Sequence, residues 1–430
     1  MVPHLVTALN GPLLELEKKI LNATPAIERW FRLSWQEHTP PFYCSVDLRN
    51  AGFKLAPVDT NLFPGCFNHL APEVMPLAVQ AAMAAIDKYC PDARNVVLIP
   101  GNNLNNPCYL ENLAGLAKIL RLTGLNVRLG TLPGQDATTL TLRDGSQLDF
   151  EPLARSSNGR RIGLKHFDPC TILLNNDLSD GVPALLESLH EQNLLPPVHA
   201  GWSVRRKSNH FAAYDEVAKK FGKLIDVDPW MLNPYFAKCG EINFQERDGA
   251  DCLATNVDSL LSKIRKKYRE YGIKEKPFII VKADVGTYGK GIMTIRDAKQ
   301  IRDIERYRDV KLSVVKDGHE VSDVIIQEGV YTFERLQEAV TEPVVYMIDR
   351  YVVGGFYRVH AERGSDENLK APGSQFVPLA FAQQHALPDA RAQPGTAAPN
   401  RFYMYGVVAR LALLAASLEL ERTDPNPEIY

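Results

Sequence analysis

No Cys-x-x-Cys pair occurs in this sequence, and none of its seven cysteines, at 44, 66, 90, 108, 170, 239 and 252, stands beside a histidine at zinc-finger spacing. The usual structural zinc sites are therefore excluded. An odd, scattered set of cysteines fits reduced thiols rather than a disulfide framework. Charge of one sign is missing too: 49 basic against 51 acidic residues leave a formal net charge of -2. No global field draws the chain to nucleic acid or to an anionic membrane. The most basic run, residues 263–269, sits in an amphipathic pattern and reads as a solvated helix face. Residues 1–13 lack the basic start and long apolar core of a signal peptide. The longest apolar stretch near the end, 407–418, is too short to span a bilayer and contains Arg410. The expectation is a soluble, cytoplasmic protein that acts on small molecules, with homo-oligomers left open. No internal repeat is evident.

What is present is a chain of 430 residues with 45% hydrophobic and 23% charged content, long enough for two or three globular domains. Residues 1–40 read as a helical segment, with Leu13, Leu14, Leu16, Ile20 and Leu21 on one side, closed by Pro40 and Pro41. Residues 41–197 read as an α/β substrate-binding domain. A buried strand at 96–99, a polar turn at 101–106, a helix at 109–122 and a strand at 126–129 form a β-α-β unit. That order predicts a right-handed crossover and a parallel sheet. A further strand is expected at 171–174. Pro196 and Pro197 mark the next boundary, and residues 198–430 form the last unit. Its predicted helices are 211–221, 257–271 and 405–416. Its predicted strands are 278–283, 291–295, 324–328, 344–348 and 351–359. Residues 384–400 read as an exposed loop, and Leu418 to Glu421 as a short alternating strand.

The chemistry centres on the glycine-rich segment that follows Lys282. A strand ends at Lys282, Gly286, Gly289, Lys290 and Gly291 follow, and a second strand begins. Glycines let backbone N–H groups approach phosphate oxygens, and the two lysines add charge at either end. The pattern is not a Walker A loop, because no helix follows, nor a dinucleotide fingerprint. On its own it fits an ordinary hairpin turn equally well. Three later features stand in order behind it. A strand ends in Gln327 and Glu328 before Gly329 and Val330, offering a backbone edge to adenine and a carboxylate to ribose. A strand pair then leads to Arg358, and Asn368-Leu-Lys-Ala-Pro-Gly373 follows.

This linear order resembles the ATP-grasp ligases, in particular the ATP-grasp half of bacterial glutathione synthetase. Further stretches resemble a small bacterial glutamate–cysteine ligase family over residues 10–420. They are Ser45-Val-Asp-Leu-Arg-Asn-Ala-Gly-Phe-Lys54, Pro57 to Gly65, and Gly201-Trp-Ser-Val-Arg-Arg-Lys-Ser-Asn-His210. The resemblance implies an α/β (α+β) fold, with an ATP-grasp domain preceded by a parallel-sheet pre-ATP-grasp domain. It implies ATP as co-substrate, Mg²⁺, and formation of γ-glutamylcysteine through a γ-glutamyl phosphate.

The same resemblance assigns roles. Lys207 is the expected upstream phosphate lysine, although a basic turn opening a helix remains open. Lys282, Lys290 and Arg358 bind phosphate, with Arg358 and Lys290 nearest the chemistry. Glu419, Glu421 and Asn368 are the candidate metal ligands, although an amphipathic strand edge accounts equally for Leu418 to Glu421. Among the polar residues interleaved between 45 and 68, Arg49 is the natural fork for an α-carboxylate, and Asp47 or Asp59 suits an ammonium. Asn50, Lys54 and Asn61 complete that set, although an Asx-rich loop holding its own turns stays open. Asn102, Asn103, Asn105 and Asn106 follow a strand end, where α/β sheets place ligands, or are turn formers. Two other readings stay open: glutathione synthetase or another ATP-grasp amino-acid ligase, and a nucleotide-binding protein without catalysis.

Overall fold

A two-residue strand, Leu5–Val6, pairs antiparallel with Arg335 and Leu336 and departs from the helical reading of residues 1–40. Two short amphipathic helices follow, α1 (Gly11–Asn22) and α2 (Thr24–Glu37). Their buried apolar stripe is Leu13, Leu16, Ile20, Ile27 and Phe31. Leu14, expected on the same side, is 37% exposed and Leu21 is half-buried, because the helical turn carries Leu14 away from the core face. A hairpin follows, β1 (Tyr43–Asn50) and β2 (Leu55–Asn61). Next come α3 (Met75–Tyr89), β3 (Asn95–Pro100), α4 (Pro107–Leu122) and β4 (Asn126–Thr131). Strands β5 (Thr138–Thr141), β6 (Gln147–Pro152), β7 (Thr171–Asn175) and β8 (Asn193–Leu195) complete that region. The structure is a computed structural model that describes residues 5–6, 11–132, 137–189, 191–242, 249–286, 292–302, 314–316, 319–379 and 401–425.

Strands β3, β4, β6, β7 and β8 run parallel, in the order β8-β7-β3-β4-β6, with β5 antiparallel at the edge. The β3-α4-β4 crossover is the one expected from the sequence. Asn106 caps α4 by accepting from the Cys108 N–H at 3.0 Å, and Pro107 opens the helix without needing a partner.

The later part contains α5 (Lys207–Ile225), β9 (Phe236–Ile242), α6 (Ala250–Glu270), β10 (Ile279–Ala283), β11 (Met293–Ile295) and β12 (His319–Glu328). It continues with β13 (Glu334–Leu336), β14 (Ala339–Ile348), β15 (Tyr351–His360), β16 (Gln375–Pro378) and α7 (Arg401–Thr423). Strands β9-β12-β10-β11 form an antiparallel sheet. The N-terminal hairpin does not pair with the parallel sheet. Instead β1 pairs antiparallel with β14, setting Asp47 opposite Val344, and β14 pairs with β15 on its other side. Every residue of β1 is buried, so this strand is enclosed on both faces.

Helix α7 corrects one expectation. Leu418 to Glu421 is not a strand but the continuation of this helix to Thr423. The two-residue alternation was misleading because Leu, Ala and Glu are all strong helix formers and the preceding residues already run in helical register. The helix is also longer than the apolar run read from the sequence. Residues Phe402–Thr423 are long and apolar enough to cross a membrane, but 83% of their apolar window is buried inside the structure. A helix that is apolar all round belongs in a core.

Candidate active site

The β1-β2 hairpin, the turns after β3 and β7, and the later part meet around a cavity of about 660 Å³. Lys282, near the end of β10, and Lys207, the first residue of α5, stand on one wall. Asp284, just after β10, brings them together. Its carboxylate accepts from the Ser208 N–H and hydroxyl at 2.7 Å each, and its carbonyl accepts from the Lys207 N–H at 2.8 Å. The start of α5 is thereby fastened to the segment that opens the glycine-rich loop. The Lys207 ammonium donates to the Gly286 carbonyl at 2.7 Å and lies 4.6 Å from the Trp202 ring centre. The Lys282 ammonium donates to the Val58 carbonyl at 3.0 Å. Burial, and then the neighbouring Lys282 charge, push Lys207 down to about 7. Burial likewise lowers Lys282. Burial would raise the Asp59 carboxyl, but Lys370, Lys282 and Lys207 outweigh it and hold the group at about 2.

The opposite wall is a lattice of arginines and carboxylates. Arg358 on β15 donates to Asp47 on β1 at 2.9 Å and to Glu342 on β14. Arg49 donates from Nε to Glu342 at 3.0 Å and from its other nitrogens to the carbonyls of Val330 and Glu367. Sheet register sets part of this arrangement, because Glu342 lies opposite Arg358 and Asp47 opposite Asp59. Burial disfavours the charged Arg358, yet the Asp47 and Glu342 charges outweigh it and raise the group further above its ordinary range.

Of the residues singled out in the sequence, Asp47, Arg49, Asp59 and Asn61 line the cavity, as do Lys207, Lys282, Gly286, Gln327, Glu328, Val330, Arg358 and Asn368. Gly289, Lys290 and Gly291 lie outside the described residues, as do residues 384–400. Gln327, in the cavity lining, has a buried amide nitrogen without a protein partner.

Several expected roles need correction. Arg49 is not a free fork, since each of its guanidinium nitrogens already donates to the protein. Asn50 turns away from the cavity: its amide donates to Glu334 and its oxygen accepts from the Gly52 N–H. Lys54 is also behind the wall, 1% exposed, paired with Glu328 at 2.8 Å and 4.3 Å from the Trp230 ring centre. Glu328 accepts from Lys54, the Trp230 indole N–H and the Tyr235 N–H, so its carboxylate braces the protein and is not held out for a ribose. The Asn368 oxygen accepts from the Lys370 N–H in a local turn.

The expected metal pair on α7 is separated. Side chains two positions apart on a helix diverge by about 200°. Glu419 is buried and holds Arg205 through two bonds of 2.8 Å, with His210 at 3.0 Å. Glu421 points to the surface and meets His38 at 2.9 Å. Neither lines the cavity.

Sequence reasoning passed over Glu342 and Lys370, both in the cavity wall. Glu342 fell just before the strand expected at 344–348. That strand starts at Ala339, and the longer alternation would have put Glu342 on one face with Val344 and Tyr346. The asparagines at 102–106 do serve as turn and cap residues, yet Asn102, Asn103 and Asn106 also line the far end of the cavity.

The model of the glutamate–cysteine ligase family matches residues 17–420. A crystal structure from Methylobacillus flagellatus, provisionally named a γ-glutamylcysteine synthetase, is 58% identical. It superposes with a TM-score of 0.91, over 99% of this chain and 100% of that one. More remote is D-alanyl-alanine synthetase A of Vibrio cholerae, at 12% identity and a TM-score of 0.31 over 66% of this chain and 73% of that one. A glutathione synthetase-like effector of Globodera pallida stands at 9% and 0.39, over 83% of this chain and 82% of that one. No curated protein sequence matches the chain.

Proposed function

Because the chain belongs to the glutamate–cysteine ligase family, we propose that this cavity binds ATP, L-glutamate and L-cysteine side by side. The protein is an ATP-dependent ligase of the ATP-grasp fold that forms γ-glutamylcysteine, ADP and phosphate. The observation that carries the site assignment is the convergence of Lys207, Lys282 and Arg358 on one cavity, with Arg358 held in place by Asp47 and Glu342.

Amide formation near neutral pH requires the glutamate γ-carboxylate to become a good electrophile. The carboxylate attacks the γ-phosphate of ATP, ADP leaves, and the cysteine amine displaces phosphate from the acyl phosphate. Two anions must be held in contact, so positive charge and positioning do most of the work. Lys207 and Lys282 hold the phosphates, with Lys290 of the glycine-rich segment as a third cation. Gln327 offers its unpartnered amide nitrogen to an acceptor on the base, beside the backbone of Val330. Arg358 stabilises the transferring phosphoryl group from the arginine–carboxylate wall.

Mg²⁺ suits this site through oxygen donors. Asp47 and Asp59 face each other across β1 and β2, and Asn61 lies one alternation along from Asp59. Two carboxylates plus substrate phosphates and water are the usual set for this ion. Among the described residues no ready cluster of three His, Cys, Asp or Glu side chains exists, so these residues fit a metal delivered with the nucleotide. The bound ion would neutralise phosphate charge. Glu419 and Glu421 are no longer candidates. A cytoplasmic location completes the proposal.

ADP release by purified protein decides the substrate pair. Release with glutamate plus cysteine, and none with γ-glutamylcysteine plus glycine, is expected. The reverse pattern would replace this assignment with glutathione synthetase.

A further inference from the structure

Two cysteines outside the cavity have a geometry that the ligase reaction does not use. Cys239 on β9 is buried, and Cys252 in the first turn of α6 is exposed. Their sulfurs stand 3.3 Å apart. A disulfide needs about 2.05 Å, so closing the bond asks for a shift of about one ångström, within reach of small side-chain rotations. Cys252 is also oriented: the Asn256 amide donates to its sulfur at 3.4 Å and to its carbonyl at 3.0 Å.

We propose that Cys239 and Cys252 form a reversible intrachain disulfide when the protein meets a low-molecular-weight disulfide. The bond fastens the start of α6 to β9. Strand β9 pairs with β12, with Cys239 opposite Val324 and Phe236 opposite Gln327. The tie therefore reaches the sheet that forms the nucleotide wall.

The exposed Cys252 reacts first. Its thiolate attacks one sulfur of the reagent RSSR, forms the mixed disulfide and expels RS⁻, which takes up a proton. Cys239 then loses its proton to solvent and attacks the Cys252 sulfur, and the second RSH leaves. Two protein thiols are oxidised, and one RSSR is reduced to two RSH. Burial, and then the adjacent Cys252 thiol, push the Cys239 thiol up to about 12, so closure is the slower step. Because the thiols already lie near bonding distance, the cross-link restrains the unfolded chain with little distortion of the folded one.

The test uses the full-length reduced protein treated with hydroxyethyl disulfide. Peptide mapping by mass spectrometry without reduction is expected to find one peptide pair joined through Cys239 and Cys252. The oxidised protein should melt a few degrees higher, and dithiothreitol should reverse both changes. Cys252→Ser should fold and catalyse normally but show neither the joined peptide nor the shift in melting temperature. Cys239→Ser should stop at a mixed disulfide on Cys252. A bond formed only between other cysteines would overturn the proposal. So would a mixed disulfide on Cys252 that never closes in the unmutated protein, or an equal rise in melting temperature for Cys252→Ser. None of these readings depends on the substrate, so they stand apart from the ligase assignment.

Discussion

Two sets of cations face the same cavity and are held in opposite ways. Lys207 and Lys282 donate to backbone carbonyls, and burial lowers both. Arg358 and Arg49 are locked into Asp47 and Glu342. A carbonyl orients an ammonium without cancelling its charge, whereas a carboxylate cancels it. The lysine wall thus keeps an unmet demand for anions, and the arginine wall satisfies most of its own. In the proposed mechanism a polyphosphate gains most at the first wall, while the second supplies shape and one cation near the transferred group.

The comparison breaks most visibly at Arg358. Arg358→Ala leaves Asp47 and Glu342 buried without their shared cation. A loss of about 3–5 kcal/mol of stability is expected from chemical denaturation, together with loss of turnover. Lys282→Met should behave differently. Turnover per unit substrate should fall about 10²–10³-fold, the scale of removing one preorganised charge donor. Its melting temperature should change little, because this half-buried ammonium bonds only to a carbonyl and the support its charge lends Asp59 is offset by its own desolvation. An equal stability loss in both variants would erase the distinction between the walls.

Lys54→Met sharpens the comparison from outside. Glu328 would lose its buried ion pair, so destabilisation of about 3 kcal/mol is expected. The KM values for glutamate and cysteine should stay within about twofold, because Lys54 does not reach the cavity. The smallest effect concerns pH. A lysine held at about 7 is protonated below that value, and phosphate binding favours the protonated form. ATP binding should therefore require proton uptake above pH 7 and weaken up to tenfold for each further unit. A KM for ATP that rises several-fold between about pH 7 and pH 8.5, and flattens in Lys207→Arg, is the expected profile.

How much of this was legible in the sequence depends on distance along the chain. The β3-α4-β4 unit and the Lys282 strand were readable because their signals are local: apolar runs, a cap and turn residues. The pairing of β1 with β14 was not, because no local pattern near Asp47 specifies a partner near Val344. That pairing turns the segment from 43 to 61 into cavity wall and brings Asp47 to Arg358. Polar residue type alone misread Lys54 and Arg49. Both satisfy buried carboxylates, and a sequence does not reveal which polar residues are already partnered. On α7 a two-residue alternation over four residues was too short to outweigh a helix already under way. Of the glycine-rich segment Lys282 and Gly286 line the cavity, as do Gln327, Arg358 and Asn368 behind it, while Gly289 to Gly291 lie outside the described residues.

The central claim is that this cavity activates the glutamate side-chain carboxylate with ATP. Glutamate carrying heavy oxygen in its γ-carboxylate tests it directly, with the released phosphate read by mass spectrometry. The account predicts one labelled oxygen in phosphate for each γ-glutamylcysteine formed, lost together with turnover in Lys282→Met. Product formed with unlabelled phosphate would contradict it.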